Sequence, residues 1–574
     1  MMEKNMKTNL MAAVALVALV SAAGVAKADS ADELQALKAQ SAALKKQNAE
    51  LEKRLAKIEK QQAKEQARFA SLPAAAPASA NSYMADLSSI KSTLLEGDGP
   101  LTWHGITVFG TFDTGISYAT HGAPNSGGFY AGDILLQKFY NGAQWSMAPS
   151  GLSQTTLGVK GEEELMPGLA GVFYASTGIN PQSGQLANAP GSQIANNGLP
   201  LGSQSMNIDG TRGGQAFNDQ LYVGVSSKTF GELTFGRHKS FSNDLLAIYD
   251  PAGGAYDYSP IGYSGTPVAG LGETDLGRQD ETLKYLVHFP IFYSGLDTHF
   301  GAMYKFANGN AGVGTAPTTF ANNSCGGTIA APLPCNLNNS GYQFDLGGKF
   351  AGFELDGVIS HYNQALTYGT FGYGSTYTVP VSGVVLPTLG AQGLAGTVAD
   401  ITSFMIAGKY TWNQFKFYAG YANDRYSDPK DPQGFGANTG QGDYPVYAVN
   451  NAAFLYGNKI YQTEWIGVKY AFNSQTDFTV AYYHESQNNF TSPAQNLTCS
   501  LPHSTALTPI TGASPRSGNC AGDENIVSAY VDYHFTKRFD AYGGFMYSAY
   551  NGGLAAGSIY TNNFAPTAGV RYTF

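Results

Sequence analysis

"NIVSAYVDYHF", residues 525–535, alternates along its length: Val527, Ala529, Val531, Tyr533 and Phe535 take every second position, and Ser528, Tyr530, Asp532 and His534 fill those between. Successive side chains of a β-strand point to opposite faces, so this stretch has one apolar face and one polar face. Over about ten residues, that is the unit of a strand with lipid on one side and a polar interior on the other. "FELDGVIS" (residues 353–360) repeats it, with Phe353, Leu355 and Ile359 opposite Glu354, Asp356 and Ser360. A single segment is a weak signal; the reading depends on number and spacing.

Between residues 105 and 574 the pattern recurs sixteen times. Short joints such as "EEELMPG", "SKTFG", "FAGF", "TWNQ", "FNSQ" and "TKR" alternate with gaps of roughly 15 to 40 residues. This asymmetry predicts an all-β transmembrane fold, a sixteen-stranded antiparallel barrel with short periplasmic turns and long extracellular loops. A bilayer tolerates no open sheet edge, so the barrel must close. The last residues, "TAGVRYTF", place Ala568, Val570, Tyr572 and Phe574 on the lipid face of a final strand that pairs with the first.

The composition agrees. Among 574 residues there are 70 glycines, 36 tyrosines and 32 phenylalanines, while only 13% are charged. The 42 acidic residues exceed the 33 basic ones, for a formal net charge of −9, which argues against a nucleic-acid partner and for weak attraction of cations.

The N-terminus indicates export. Lys4 and Lys7 precede an apolar run from Leu10 to Val20, and "AKADS" provides small residues before Asp29, so residues 1–28 read as a signal peptide. Residues 29–69 contain no glycine or proline and carry Leu37, Leu44, Leu51 and Ile58 every seventh residue, the seam of a short α-helical coiled coil. Residues 70–100 are an Ala/Pro-rich linker with a short helix, and the barrel domain occupies residues 101–574. The coiled coil is expected in the periplasm, where it could engage peptidoglycan. Cys325 with Cys335, and Cys499 with Cys520, lie in long loops and read as two local disulfides of an oxidising compartment.

Several stretches resemble the Gram-negative general porins. "VFGTFDTGISY" (108–118) is similar to their first strand, "LGVKGEEEL" (157–165) to their second, "NDQLYVGVSSKTFGELTFGRH" (218–238) to the hairpin before the third loop, and "GVRYTF" (569–574) to their last strand. The resemblance implies a homotrimer in outer-membrane lipid, with the third loop folded into each lumen, passing ions and small hydrophilic solutes by passive diffusion. It makes Arg237 and Arg278 the basic wall of a constriction and Asp250, with Asp257, Glu273 and Asp275 of the same loop, its acidic side. Charges set across a pore in this way screen solutes. Thr156 stands where a third wall arginine is usual, and the loop lacks the usual Pro-Glu-Phe-Gly segment. Asp113 and Thr156 belong to the rest of the lumen. Terminal Phe574 resembles the signal read by the barrel-assembly machinery.

Alternation turns Arg278, Asp280, Thr282 and Lys284 inward. Arg237 shares parity with Leu233 and Phe235, so its inward role requires either a bulge near Gly236 or an early start of the loop. Neither a HExxH metal motif nor a GxSxG elbow occurs, so no cofactor, metal or enzymatic activity is expected. The alternatives are a substrate-specific channel, for instance for sugars over an aromatic track including Tyr530 and Tyr418, and an envelope tether acting through residues 29–69.

Overall fold

The computed structural model describes residues 53, 101–121, 143–179, 181, 184, 216–261, 277–289, 295–306, 324–328, 331–334, 340–368, 394–430, 435–436, 439–441, 444–450, 454–490, 520–555 and 561–574. The chain divides into two units, residues 1–92 and 93–574. In the first, Lys53 alone is described, exposed and helical. The signal peptide, the remainder of the heptad segment and the linker lie outside the described residues.

Sixteen long strands build the second unit: β1 (Ile106–Ala119), β2 (Thr156–Met166), β3 (Leu169–Gly178), β4 (Gln220–Ser227), β5 (Gly231–Lys239), β6 (Arg278–His288), β7 (Asp297–Lys305), β8 (Gly341–Phe350), β9 (Phe353–Tyr368), β10 (Leu394–Trp412), β11 (Phe415–Ser427), β12 (Lys459–Asn473), β13 (Thr476–Gln487), β14 (Gly522–His534), β15 (Phe539–Gly552) and β16 (Asn562–Thr573). Each pairs antiparallel with its sequence neighbours, and β1 pairs with β16 from Thr111↔Thr573 to Ser117↔Thr567, so the sheet closes as a barrel.

The two faces follow the alternation. On β14, Val527 and Tyr533 are exposed to the lipid side, while Ile526, Ser528, Tyr530 and Asp532 are buried inside. Aromatic pairs gather at the short-turn end, including Phe353 with Tyr410 (centroids 4.0 Å apart) and Phe415 with Tyr470 (4.6 Å), as a membrane-interface girdle requires.

The seam departs from simple pairing. The lower half of β1 pairs with β2, but from Thr114 onward its partner on that side is a short strand, Gln144–Pro149, of the first loop. Between them, residues 150–155 turn inward, and Asp113 holds this excursion. Its Oδ1 accepts from Gly151 N (3.1 Å) and Tyr542 OH (2.5 Å), and its Oδ2 from Leu152 N (2.9 Å) and Ser153 N (2.8 Å). Asp113 therefore faces inward without lining open lumen; it is fully buried.

Phe574 continues the last strand. Its backbone exchanges hydrogen bonds with Gly110 (3.0 and 3.1 Å), and its ring lies 6.2 Å from Phe112 and 6.1 Å from Tyr572, centroid to centroid. A Cβ on Gly110 would come within 2.7 Å of the Phe574 ring, so glycine opens the space the ring fills. Phe574→Ala removes ring contacts at the seam and leaves the inner wall untouched. It is expected to lower the yield of assembled barrel several-fold, read on gels without heating; undiminished assembly would refute it.

Candidate pore constriction

The third loop begins where β5 ends. The β5–β6 register shifts between Gly236 and His238, and Gly236 has φ +142, a conformation glycine adopts readily. The bulge brings Arg237 to Asp280, 2.6 Å away, and its Nε and Nη2 donate to the Asn218 carbonyl (3.1 and 2.8 Å). Ser240 then caps helix α1 (Phe241–Tyr249), its Oγ accepting from Asn243 N at 3.2 Å. The free Phe241 N–H donates to Gln343 Oε1 of β8 at 2.8 Å.

Phe241, Leu245, Leu246 and Tyr249 recur on one face of α1 and are buried. They pack on an apolar patch of the inner wall that includes Met303, Val358, Met405, Trp465 and Tyr483. Apolar residues facing inward in a polar lumen are explained by this contact, because the loop covers them. Polar bonds fix the docking: Trp465 Nε1 donates to Tyr249 O (3.0 Å), Tyr249 OH donates to Asp356 Oδ2, and Tyr483 OH donates to Asp250 Oδ1 (2.6 Å). Beyond α1, Tyr258 stacks on Tyr530 (4.5 Å) and donates to Thr567 O of β16 (2.8 Å). The loop thus runs inside the barrel from β5 to β16.

The sequence reading sets Arg237 and Arg278 across open water from Asp250 and Asp257. All four are buried instead, at 8, 6, 1 and 2% exposure. Arg278 bonds Asp219 (2.7 Å) and Gln154 (3.0 Å). The Asp250 carboxylate also accepts from Ala252 N (3.2 Å) and Gly254 N (2.8 Å), and burial pushes its carboxyl above the usual range against these bonds. Asp257 N donates to Gly151 O (3.1 Å), on the excursion held by Asp113. Arg237, Arg278 and Asp250 are enclosed among these partners, and Asp250 ties the loop to the inner wall through Tyr483. Thr156 is half-buried beside Thr111 and Gly178. Glu273 and Asp275 lie outside the described residues.

A charged contact between loop and wall does exist, on Asp244 of α1. Lys284 Nζ of β6 lies 2.6 Å from its Oδ2 and 4.5 Å from the centroid of the Phe241 ring. Alternation turns Lys284 inward, but Asp244 escaped the sequence reading; its signal was a carboxylate in the first turn of a helix capped by Ser240. Lys239 lies 3.4 Å from Asp219 and retains 28% exposure of its side chain.

A row of rings crosses the inner wall at the β1–β5 side: Phe109 to Tyr174 (5.2 Å), Tyr174 to Tyr222 (5.3 Å, nearly parallel) and Tyr222 to His238 (4.6 Å). Tyr530 faces inward as alternation requires, and there it is covered by Tyr258. Cys520 is buried and disulfide-bonded, and no described cysteine is free. Cys335 and Cys499 lie outside the described residues, and Cys325 is described only as backbone in a hairpin of Ser324–Thr328 with Ala331–Pro334.

A closed membrane barrel with a loop docked along its inner wall defines an outer-membrane pore-type barrel. Residues 69–553, well over half the chain, match the family described as Gram-negative porin, and the chain belongs to that family. It is similar to an outer membrane porin protein of Bordetella pertussis, 24% identical over 264 residues, which are 46% of this chain and 60% of that protein. The match thus spans less than two thirds of that relative's length. Among solved structures it is similar to an anion-selective porin from Comamonas acidovorans (15% identity, TM-score 0.47, 82% of this chain and 99% of that one) and to OmpT of Vibrio cholerae (14% identity, TM-score 0.45, 83% and 100%). The protein is an outer-membrane β-barrel of a Gram-negative bacterium.

Proposed function

We propose that the protein forms a water-filled channel for passive diffusion of ions and small hydrophilic solutes, assembles as a homotrimer and prefers cations weakly. The supporting observation is the docking of loop 3: α1 covers the apolar patch of the inner wall, so the remaining lumen is bordered by Lys239, Asp244, Lys284 and other polar groups. Mixed charges of this kind let hydrated solutes pass without a dedicated binding step. The cation preference rests on the net charge of −9. The trimer rests on family membership and on the heptads of residues 29–69.

The row from Phe109 to His238 is what favours a sugar-specific reading. Tyr174 and Tyr222 spend facing surfaces on each other, however, so diffusion is the stronger reading. Planar-bilayer recording tests both. The expected result is conductance in steps of three, with a reversal potential of cation sign below half the ideal value of about 59 mV per tenfold salt gradient. Absence of conductance would overturn the channel reading. Saturable block by one oligosaccharide would replace diffusion with specific uptake.

A further inference from the structure

Three neighbouring strands turn metal-binding side chains to one level of the inner wall: His299 from β7, Asp345 from β8 and Asp356 from β9. Gly347 of β8 stands opposite both His299 and Asp356 in the register, and a Cβ there would overlap Asp356 Oδ1, so glycine lets the three side chains converge. His299 Nε2 lies 3.1 Å from Asp345 Oδ2 and 2.9 Å from Asp356 Oδ1, and one donor atom from each residue lies within 4.8 Å of the others. Zinc bonds of about 2.0–2.2 Å bring ligands to roughly 3–4 Å from one another, within reach of small rotamer changes.

Charge and hydrogen bonding favour a cation among these three side chains. Asp345 is 4% exposed and Asp356 3%; Asp356 Oδ1 meets only the His299 ring that it shares with Asp345, and Asp345 Oδ1 accepts no hydrogen bond. Two enclosed carboxylates sharing one imidazole are undercompensated, and a buried carboxylate is costly without a partner. The comparable group Asp532, His534 and Asp540 is balanced by Arg571, at 3.2 Å from Asp532 and 2.6 Å from Asp540. Among the described residues no lysine or arginine forms an ion pair with Asp345 or Asp356.

We propose that His299, Asp345 and Asp356 bind a divalent transition-metal ion, Zn²⁺ foremost, and that its occupancy alters how loop 3 is held. One imidazole nitrogen and two carboxylate oxygens suit Zn²⁺ better than Mg²⁺, which demands octahedral oxygen ligation. The His299 side chain retains 16% exposure, so the site is reachable. The coupling runs through Asp356: its Oδ2 accepts from Tyr249 OH at the end of α1. An ion drawing on this carboxylate weakens that bond and loosens the helix terminus. The coupling rests on the channel reading; the binding does not.

Calorimetric titration of the purified full-length protein with ZnCl₂, paired with single-channel recording, tests the proposal. The expected result is one site per chain with micromolar affinity, weakened at least tenfold by His299→Ala and by the isosteric Asp345→Asn, with no comparable binding of MgCl₂. Zn²⁺ should change the open-channel current of the parent and leave both variants unaffected. Binding weaker than millimolar, or binding indifferent to both substitutions in assembled protein, overturns the site. Binding without a change in current overturns the coupling. A protein that binds Zn²⁺ but conducts under no condition overturns the channel reading and leaves the site standing.

Discussion

Asp113→Ala is expected to destabilise the barrel by about 4–5 kcal/mol, enough to abolish most assembly. The carboxylate accepts from three backbone amides and the Tyr542 hydroxyl, and its removal leaves the buried Gly151 and Leu152 N–H groups and the half-buried Ser153 N–H without this acceptor. Each such donor costs about 1–3 kcal/mol, and bonds to a charged group are the stronger kind. The contributions are not additive, so the total is set below their sum. The damage centres on the place where β1 exchanges β2 for the first-loop strand, beside the closing seam. Asp113→Asn keeps the shape and one acceptor oxygen, and about half the loss is expected; Tyr542→Phe, which removes one bond, should cost about 1–2 kcal/mol. Denaturant unfolding followed by gel mobility checks the order Asp113→Ala, Asp113→Asn, Tyr542→Phe. An alanine variant as stable as the parent would show that the excursion is held by something else.

Leu246→Asp should leave the barrel assembled and make its current unsteady. Leu246 is 4% exposed in the patch between α1 and the wall, and no strand ladder depends on it. A carboxylate placed there has no designed partner, and the penalty of about 3–4 kcal/mol falls on loop docking. That shifts the balance between docked and undocked loop by about 100- to 1,000-fold. An undocked loop moves into the open lumen, so frequent partial closures are expected at voltages where the parent is quiet. Gly467→Val should act in the same direction, because a side chain at Gly467 would occupy the space of the Pro251 ring beside α1. Parent-like traces from both variants would mean that the loop does not limit the pore.

The strand pattern was readable because it is local. Whether Val527 faces lipid and Ser528 faces inward depends on a two-residue period that no distant contact can change without flipping the whole strand. The irregularity at Gly236 is legible for the same reason, since Arg237 breaks the parity of its own strand; that it is a bulge rather than an early start of the loop is shown by the β5–β6 register. Residues 29–69 remain an expectation outside the described residues, so the heptads carry no structural statement beyond helical Lys53.

The site was legible only in outline. Parity places Lys284 inward, and the gap after Arg237 marks the third loop as a long insertion. Which acid it would meet could not be read, because Asp244 reaches Lys284 only after α1 docks on a patch drawn from many strands. The sequence marks Arg278 and Asp250 as charged and near the loop, but their enclosure depends on Asp219, Gln154 and Tyr483, which the chain supplies from far away.

By itself the sequence determined a sixteen-stranded closed wall, its lipid and inner faces and the strand that ends on Phe574, since alternation and connection length are properties of neighbouring residues. The tertiary structure alone decided that Asp113 supports the seam, which wall residues the inward-folded loop 3 packs on, and that His299, Asp345 and Asp356 converge. Asp113 and Tyr542 are 429 positions apart, and His299 and Asp345 are 46. Contacts at such separations are set by strand register and barrel closure, which place side chains together that no local period relates.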